Sequence, residues 1–197
     1  MTGTTTTLIV PGLRDAVAQH WQTRLEERLR AAGRPVASVP PMGREDLDCA
    51  ARVAAIEETA RTVDGDIVVV AHSGGCVTVA HWARKTRRPV RAALLATPPD
   101  FEKPMPEGYP TLDALREAGW LPVPRERLPF RSVVAASRND PLARFSRVVG
   151  LASDWGSELV DLGFVGHLNP ASGYGEWLQA DDLIARLEAV TETAAGT

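Results

Sequence analysis

The sequence has little of what a metal site or a cross-linked scaffold is made from. Two cysteines, Cys49 and Cys76, stand in a chain of 197 residues, too few for a disulfide framework and in no spacing that a structural zinc uses. The four histidines are scattered, with no H-x₃₋₅-H pair, so no metal is expected, and the serine chemistry read below requires no organic cofactor. No apolar run reaches the ~20 residues of a membrane span. Positive charge is not in surplus: 22 basic against 25 acidic residues leave a net charge of −3. Nucleic-acid binders draw most of their non-specific affinity from a basic field, so no nucleic-acid partner is expected. Internal repeats, low-complexity tracts and blocks of like charge are also missing. Met1-Thr2-Gly3-Thr4 lacks the basic n-region of a secretory signal and reads as a disordered lead into a strand. Together with the sparse cysteines, this gives a cytoplasmic expectation.

What remains is an ordinary globular composition, 44% hydrophobic and 24% charged, at a length that favours one domain spanning residues 1–197. Short apolar runs alternate with longer helical patterns. Thr6–Val10 is a β-branched strand ended by Pro11-Gly12. From Ala16 to Ala32, Val17, Trp21, Leu25 and Leu29 recur every four positions, the stripe of an amphipathic helix stopped by Gly33. Val36–Val39 reads as a second strand, and Asp46 as the cap of a helix running to about Val63. Asp66–Ala71 carries Ile67-Val68-Val69-Val70, four β-branched apolar residues without alternation. Such a strand is buried on both faces, which points to a parallel sheet between helices. A helix over Cys76–Thr86 follows. Further strands are expected at Ala92–Ala96, Ser132–Ala136 and Glu158–Leu162, and helices at Leu142–Trp155 and Ala180–Thr193. Strand and helix alternating throughout define a three-layer, doubly wound α/β sheet of about six parallel strands. One stretch breaks the rhythm: residues 98–129 hold eight of the fifteen prolines. With only a short helical piece near Leu112–Ala118, this segment is longer than a crossover needs, and part of it is expected to lie over the sheet edge as a cap.

The sharpest chemical signal is Ala71-His72-Ser73-Gly74-Gly75, between the most buried strand and a helix. A nucleophilic serine on a tight strand-to-helix turn needs small residues two before and two after it, because backbone segments crowd there. Ala71 and Gly75 meet that need, the first in relaxed form since glycine is usual. A serine nucleophile requires a histidine base, and the histidine a carboxylate that fixes its tautomer. The order Ser, acid, His, each at a strand's carboxyl end, is that of α/β hydrolases. Asp140 lies in the loop after the fifth strand and His167 in the loop after the sixth. Taken singly these are an Asn-Asp-Pro turn and a surface histidine; taken together they are a triad. His72 is expected to turn away from the serine, His81 to be a hydrogen-bonded core or interface residue, and His20 to be structural. Cys76 has no cation or base beside it to activate its thiol.

The backbone N–H of Gly74, at the helix N-terminus, is one expected oxyanion donor. The second is Leu13 N–H, from the loop after the first strand, where Gly12 supplies the turn and part of the pocket. Strand order 2-1-3-4-5-6 puts the chain reversal between the first and third strands, where open α/β sheets hold ligands. The cap segment offers Phe101, Met105, Tyr109 and Trp120 to a mainly apolar substrate pocket, or else these residues anchor a long loop.

Ile9-Val10-Pro11-Gly12, His20-Trp21-Gln22, His72-Ser73-Gly74-Gly75-Cys76, Ser137-Arg138-Asn139-Asp140-Pro141 and the run from Trp155-Gly156-Ser157 to Gly166-His167-Leu168-Asn169 together resemble one family. It is the small serine hydrolase family that includes the retinoblastoma-binding serine hydrolase and the bacterial YdeN-like proteins. The resemblance covers nearly the whole chain. It implies a compact α/β-hydrolase fold without the two leading strands of larger relatives, with Ser73, Asp140 and His167 as triad, and no single substrate. Two departures are Ala71 in the usual glycine position and the long 98–129 segment. The Leu-x-Cys-x-Glu motif of retinoblastoma binding is absent, since Leu47-Asp48-Cys49 continues Ala50-Ala51, so that partner is not expected. The resulting expectation is a serine hydrolase acting on a small ester or related acyl substrate, thioester and peptide included. The competing one is a non-catalytic binding module on a hydrolase fold.

Overall fold

The computed structural model describes residues 5–14 and 17–189. The lead at 1–4, residue 16 of the expected first helix and the last helix beyond Ala189 lie outside the described residues. Strands Thr5–Val10 (β1), Val36–Ser38 (β2), Asp66–His72 (β3), Ala92–Ala96 (β4), Arg131–Ala136 (β5) and Glu158–Asp161 (β6) form one parallel sheet. Their order is β2-β1-β3-β4-β5-β6, the order expected from the sequence. Helices Trp21–Ala31 (α1), Cys49–Arg61 (α2), Gly74–Ala83 (α3), Leu112–Glu117 (α4), Phe145–Trp155 (α5) and Gln179–Ala189 (α6) fill the connections.

The unbroken apolar run of β3 is explained by the two layers it separates. Ile67, Val69 and Ala71 face a cluster built from α2, α3, α4 and α5, with Ile56, Val77, Leu115 and Trp155 at its centre. Val68 and Val70 face the opposite cluster, built from Trp21, Leu25 and Leu29 of α1 and Leu183, Ile184 and Leu187 of α6. Successive side chains of a strand point to opposite faces, so a strand covered on both sides needs apolar residues at every position.

Four helix starts differ from expectation by two or more residues: α3 begins at Gly74 rather than Cys76, α5 at Phe145 rather than Leu142, and α1 and α2 shift with their caps. α1 begins at Trp21 because His20 caps it, the Gln22 amide donating to His20 Nδ1 at 3.2 Å. Val17 lies in a preceding turn, its carbonyl accepting from the His20 amide, and is exposed rather than on the inner stripe. α2 is capped by Asp48, which accepts from the amides of Ala50 and Ala51 at 2.8 and 3.1 Å. Asp46 sits two residues earlier and accepts from the Asp48 amide.

The 98–129 segment divides into two parts. Phe101, Leu115, Trp120, Val123 and Leu128 are buried in the α2–α5 cluster, and α4 is tied down by the Cys49 amide donating to Ala118 O. Only the portion around 101–110 reaches the carboxyl ends of β1 and β3. Among the described residues no helix is long and apolar enough to cross a membrane.

Candidate active site

The register of the sheet brings the decisive loops together. Val10 pairs with Ala71, and His72 with Ala96, so the chain leaves β1 and β3 side by side and turns in opposite directions. Ser73 occupies the turn between β3 and α3 with φ +55° and ψ −131°, a left-handed conformation that L residues adopt only where the surroundings enforce it. The enforcement is visible: the Ser73 amide donates to Ala96 O at 2.9 Å, and α3 starts at the next residue. Gly75 is required because a β-carbon there would stand 2.5 Å from Pro11 O and 2.8 Å from Val10 O. Gly12 is also tight against the elbow, its own hypothetical β-carbon 3.1 Å from Ser73 Cβ. Leu13 packs on Gly74, where a β-carbon would meet Leu13 Cγ at 2.7 Å. The loop after β1 therefore presses against the elbow.

Ser73, His167 and Asp140 form an unbroken chain of hydrogen bonds. His167 Nε2 is 2.8 Å from Ser73 Oγ, and His167 Nδ1 lies 2.8 and 3.0 Å from the two oxygens of Asp140. A carboxylate beside Nδ1 holds the proton there, leaving Nε2 to accept from the serine hydroxyl. The Asp140 and His167 side chains are 2% and 5% exposed, so this contact is shielded from solvent.

Side chains that sequence reasoning left without a role hold the loops in place. Asn139 Oδ1 accepts from the Gly166 amide at 2.7 Å and from Ser137 Oγ at 3.0 Å, joining the acid loop to the histidine loop. The His167 amide donates to Ser172 Oγ. His72 turns away from Ser73, as expected, and its Nε2–H donates to His167 O at 3.0 Å. Gln22 Nε2 donates to the carbonyls of Val10 and Val70, at 3.0 and 3.1 Å, clamping β1 to β3 where they diverge. The signal for Gln22 was its place in His20-Trp21-Gln22, but nothing in the spacing reveals carbonyl binding.

Burial keeps three of these groups out of proton and nucleophile chemistry. Desolvation, with His167 nearby, lowers the pKa of His20 to about 4 and that of His72 far below its usual value. Both rings are neutral at pH 7. Burial pushes the Cys76 thiol well up, and its Sγ–H donates to Ala96 O, so it is a packed side chain.

A cavity of about 360 Å³ opens over Ser73 and His167. Gly12, Leu13, Phe101, Met105 and Tyr109 are on its wall. Arg14 bridges its mouth, donating to Gly108 O at 3.2 Å with its guanidinium carbon 4.2 Å above the Tyr109 ring. Trp120 is not on the wall, contrary to expectation. Its indole N–H donates to Leu47 O, and the ring packs edge-on to Phe101 within the core. An indole whose only polar atom is satisfied internally gains more by full burial than by lining a cavity. His20 and Gln22 take part in the wall instead. His81 bonds to Trp120 O, away from the cavity. Among the described residues no group of three or more His, Cys, Asp or Glu is arranged to hold a metal ion.

The comparisons agree with this architecture. No curated protein matches the sequence. A YdeN-like hydrolase from Pectobacterium atrosepticum superposes with a TM-score of 0.74 at 27% identity, over 94% of this chain and 91% of its own. The ydeN gene product of B. subtilis gives 0.77 at 20% identity, over 95% and 100%. Est1E of Butyrivibrio proteoclasticus, in a structure with ferulic acid bound, gives 0.71 at 14%, over 96% and 92%, a likeness of fold alone. The profile of the serine hydrolase family matches residues 7–186. The chain belongs to the serine hydrolase family.

Proposed function

We propose that this hydrolase is a carboxylesterase that cleaves small acyl esters through an acyl-enzyme on Ser73. Ser73 Oγ attacks the carbonyl while His167 Nε2 takes its proton. His167 then protonates the departing alcohol, and Asp140 holds the imidazole in the tautomer that can do both and stabilises the imidazolium. The backbone N–H groups of Gly74 and Leu13 receive the oxyanion, supported by the packing of Leu13 on Gly74. Water, activated by the same histidine, releases the acid. The observation that carries the reading is the continuous Ser73–His167–Asp140 hydrogen-bond chain, whose Ser73 and His167 line the cavity.

The acyl chain is assigned to the wall of Leu13, Phe101, Met105 and Tyr109. Phe101 approaches the elbow from the Gly74 side, its Cζ 3.3 Å from the position of a β-carbon there. On this reading the 101–110 part of the proline-rich segment is the cap of one domain, and the enzyme works in the cytoplasm.

The test is covalent labelling and turnover together. Wild-type protein is expected to react with a fluorophosphonate and to hydrolyse p-nitrophenyl butanoate. Ser73→Ala is expected to lose the label and about 10⁴-fold or more of kcat. Labelling or turnover that survives in Ser73→Ala refutes the assignment.

A further inference from the structure

His20 stands on the cavity wall without a part in the reaction just described, yet its orientation is fixed. Its Nδ1 accepts from the Gln22 amide at 3.2 Å as the cap of α1, so that nitrogen carries no proton. The ring is neutral, its pKa lowered to about 4 by burial and by His167. A neutral imidazole has one N–H, and here it is at Nε2. Among the described residues Nε2–H has no protein partner, and it is not one of the buried polar atoms sealed off from space. A fixed donor on the wall of a mainly apolar cavity marks where a bound molecule must present an acceptor, because leaving it unmet in a desolvated complex is unfavourable.

Its side of the cavity follows from ring contacts. His20 packs on His72 with centroids 4.7 Å apart, and His72 packs on His167 at 5.0 Å. The three imidazoles form a row, with His72 between His20 and His167, and His20 and His167 both line the cavity. A leaving group departs toward the imidazole that protonates it, so the His20 side receives the alcohol half of the substrate.

We propose that His20 donates a hydrogen bond from Nε2 to the alcohol half of the substrate, and that the esters this enzyme prefers carry a further hydroxyl or ether oxygen there, as glycol- and polyol-type esters do. This rests on the catalytic reading above and names its substrate class.

The test uses isosteric ester pairs with one acyl group, 2-methoxyethyl against n-butyl butanoate and 3-methoxypropyl against n-pentyl butanoate, followed by acid release. Each pair yields the same acyl-enzyme, so kcat/KM isolates the step in which the alcohol is still bound. His20→Asn keeps a side-chain acceptor for the α1 cap, asparagine being among the best N-cap residues, while withdrawing the Nε2 donor. The ratio of kcat/KM within at least one pair is expected to favour the ether ester in the wild type and to fall by roughly three- to tenfold in His20→Asn. Intrinsic reactivity cancels between the two enzymes, and a merely structural cap would lower both esters together. A second reading needs no variant: the wild-type ratio should exceed that for hydroxide-catalysed hydrolysis of the same two esters. Turnover with ratios unmoved in both pairs, or a wild-type ratio equal to that of hydroxide, overturns this inference alone. No hydrolysis and no fluorophosphonate labelling overturns the catalytic reading and this one with it.

Discussion

Gly75→Ala sets two well-measured effects against each other. Gly75 is the second residue of α3, and replacing a helical glycine by alanine ordinarily stabilises by about 0.5–1 kcal/mol. Here the new β-carbon would fall 2.5 Å from Pro11 O, 2.8 Å from Val10 O and 3.1 Å from Pro11 C. All three are backbone atoms, so no side chain can swing aside. The closest of them is half an ångström short of the 3.0 Å that real β-carbons essentially never breach. Either the start of α3 lifts off β1 or the Pro11–Leu13 loop retreats. Overpacking of this kind costs about 1–3 kcal/mol, which exceeds the propensity gain and leaves a net loss of roughly 1–2 kcal/mol. For a chain of this size that is a fall in Tm of about 2–8 °C. Both displacements separate Ser73 from the Leu13 N–H, and half an ångström at an oxyanion donor is expected to lower kcat by roughly 10–100-fold. Thermal melts and kcat on p-nitrophenyl butanoate measure the two consequences. Gly150→Ala is the control, since it lies within α5 and its β-carbon would have nothing within 4 Å; it is expected to gain stability and keep full turnover. If Gly75→Ala matches Gly150→Ala in both assays, the elbow does not press on the first loop and the proposed oxyanion site loses its basis.

Asp140→Asn is expected to leave the Tm within a few degrees, because its Oδ1 still accepts from the Leu142 amide. It should drop kcat by about 10⁴-fold, because an amide beside Nδ1 favours the wrong tautomer; a loss under tenfold contradicts the triad. Lowering the pH should destabilise the protein through His20. Its folded pKa of about 4 lies below the unfolded value of 6.5, so the unfolded chain binds the extra proton. Stability is therefore full above pH 6.5 and declines as the pH falls toward 4, by on the order of 2 kcal/mol at pH 5. Urea midpoints at pH 7 and 5 should fall less in His20→Asn than in wild type, and equal falls would refute this source. Met105→Trp fills part of the cavity wall and is expected to lower kcat/KM for p-nitrophenyl octanoate about tenfold relative to the acetate. An unchanged chain-length profile would remove the acyl chain from that wall.

The fold was legible where one physical requirement governs each residue. The run Ile67–Val70 announced a doubly covered strand, and Leu183, Ile184 and Leu187 face the sheet at helical spacing. Boundaries failed where a polar contact overrode the apolar period. Val17 continues the stripe of α1 in the sequence, but its carbonyl is taken by Thr23 Oγ and the His20 amide, and the helix starts four residues later. Trp120 misled for a related reason. An aromatic in a proline-rich cap reads as pocket lining until its N–H is seen to reach Leu47 O, a contact across 73 positions that no local pattern encodes.

That Ser73, Asp140 and His167 come together was legible because each follows a strand's carboxyl end, and strand ends are readable from hydrophobic runs. Their braces were not. Gln22, His72 and Asn139 each work by binding the backbone of a distant segment, and backbone is the same whatever the sequence there. A donor aimed at a carbonyl 48 or 95 positions away therefore leaves no complementary residue to find. His20 belongs with them. Read alone it is a structural residue of the first amphipathic helix, and only the row His20–His72–His167 ties it to the candidate site. The proton that caps leave unused is thus informative: once the Gln22 amide occupies Nδ1 and burial forbids a second proton, the single N–H left over is at Nε2, on a residue that lines the cavity where we place the substrate.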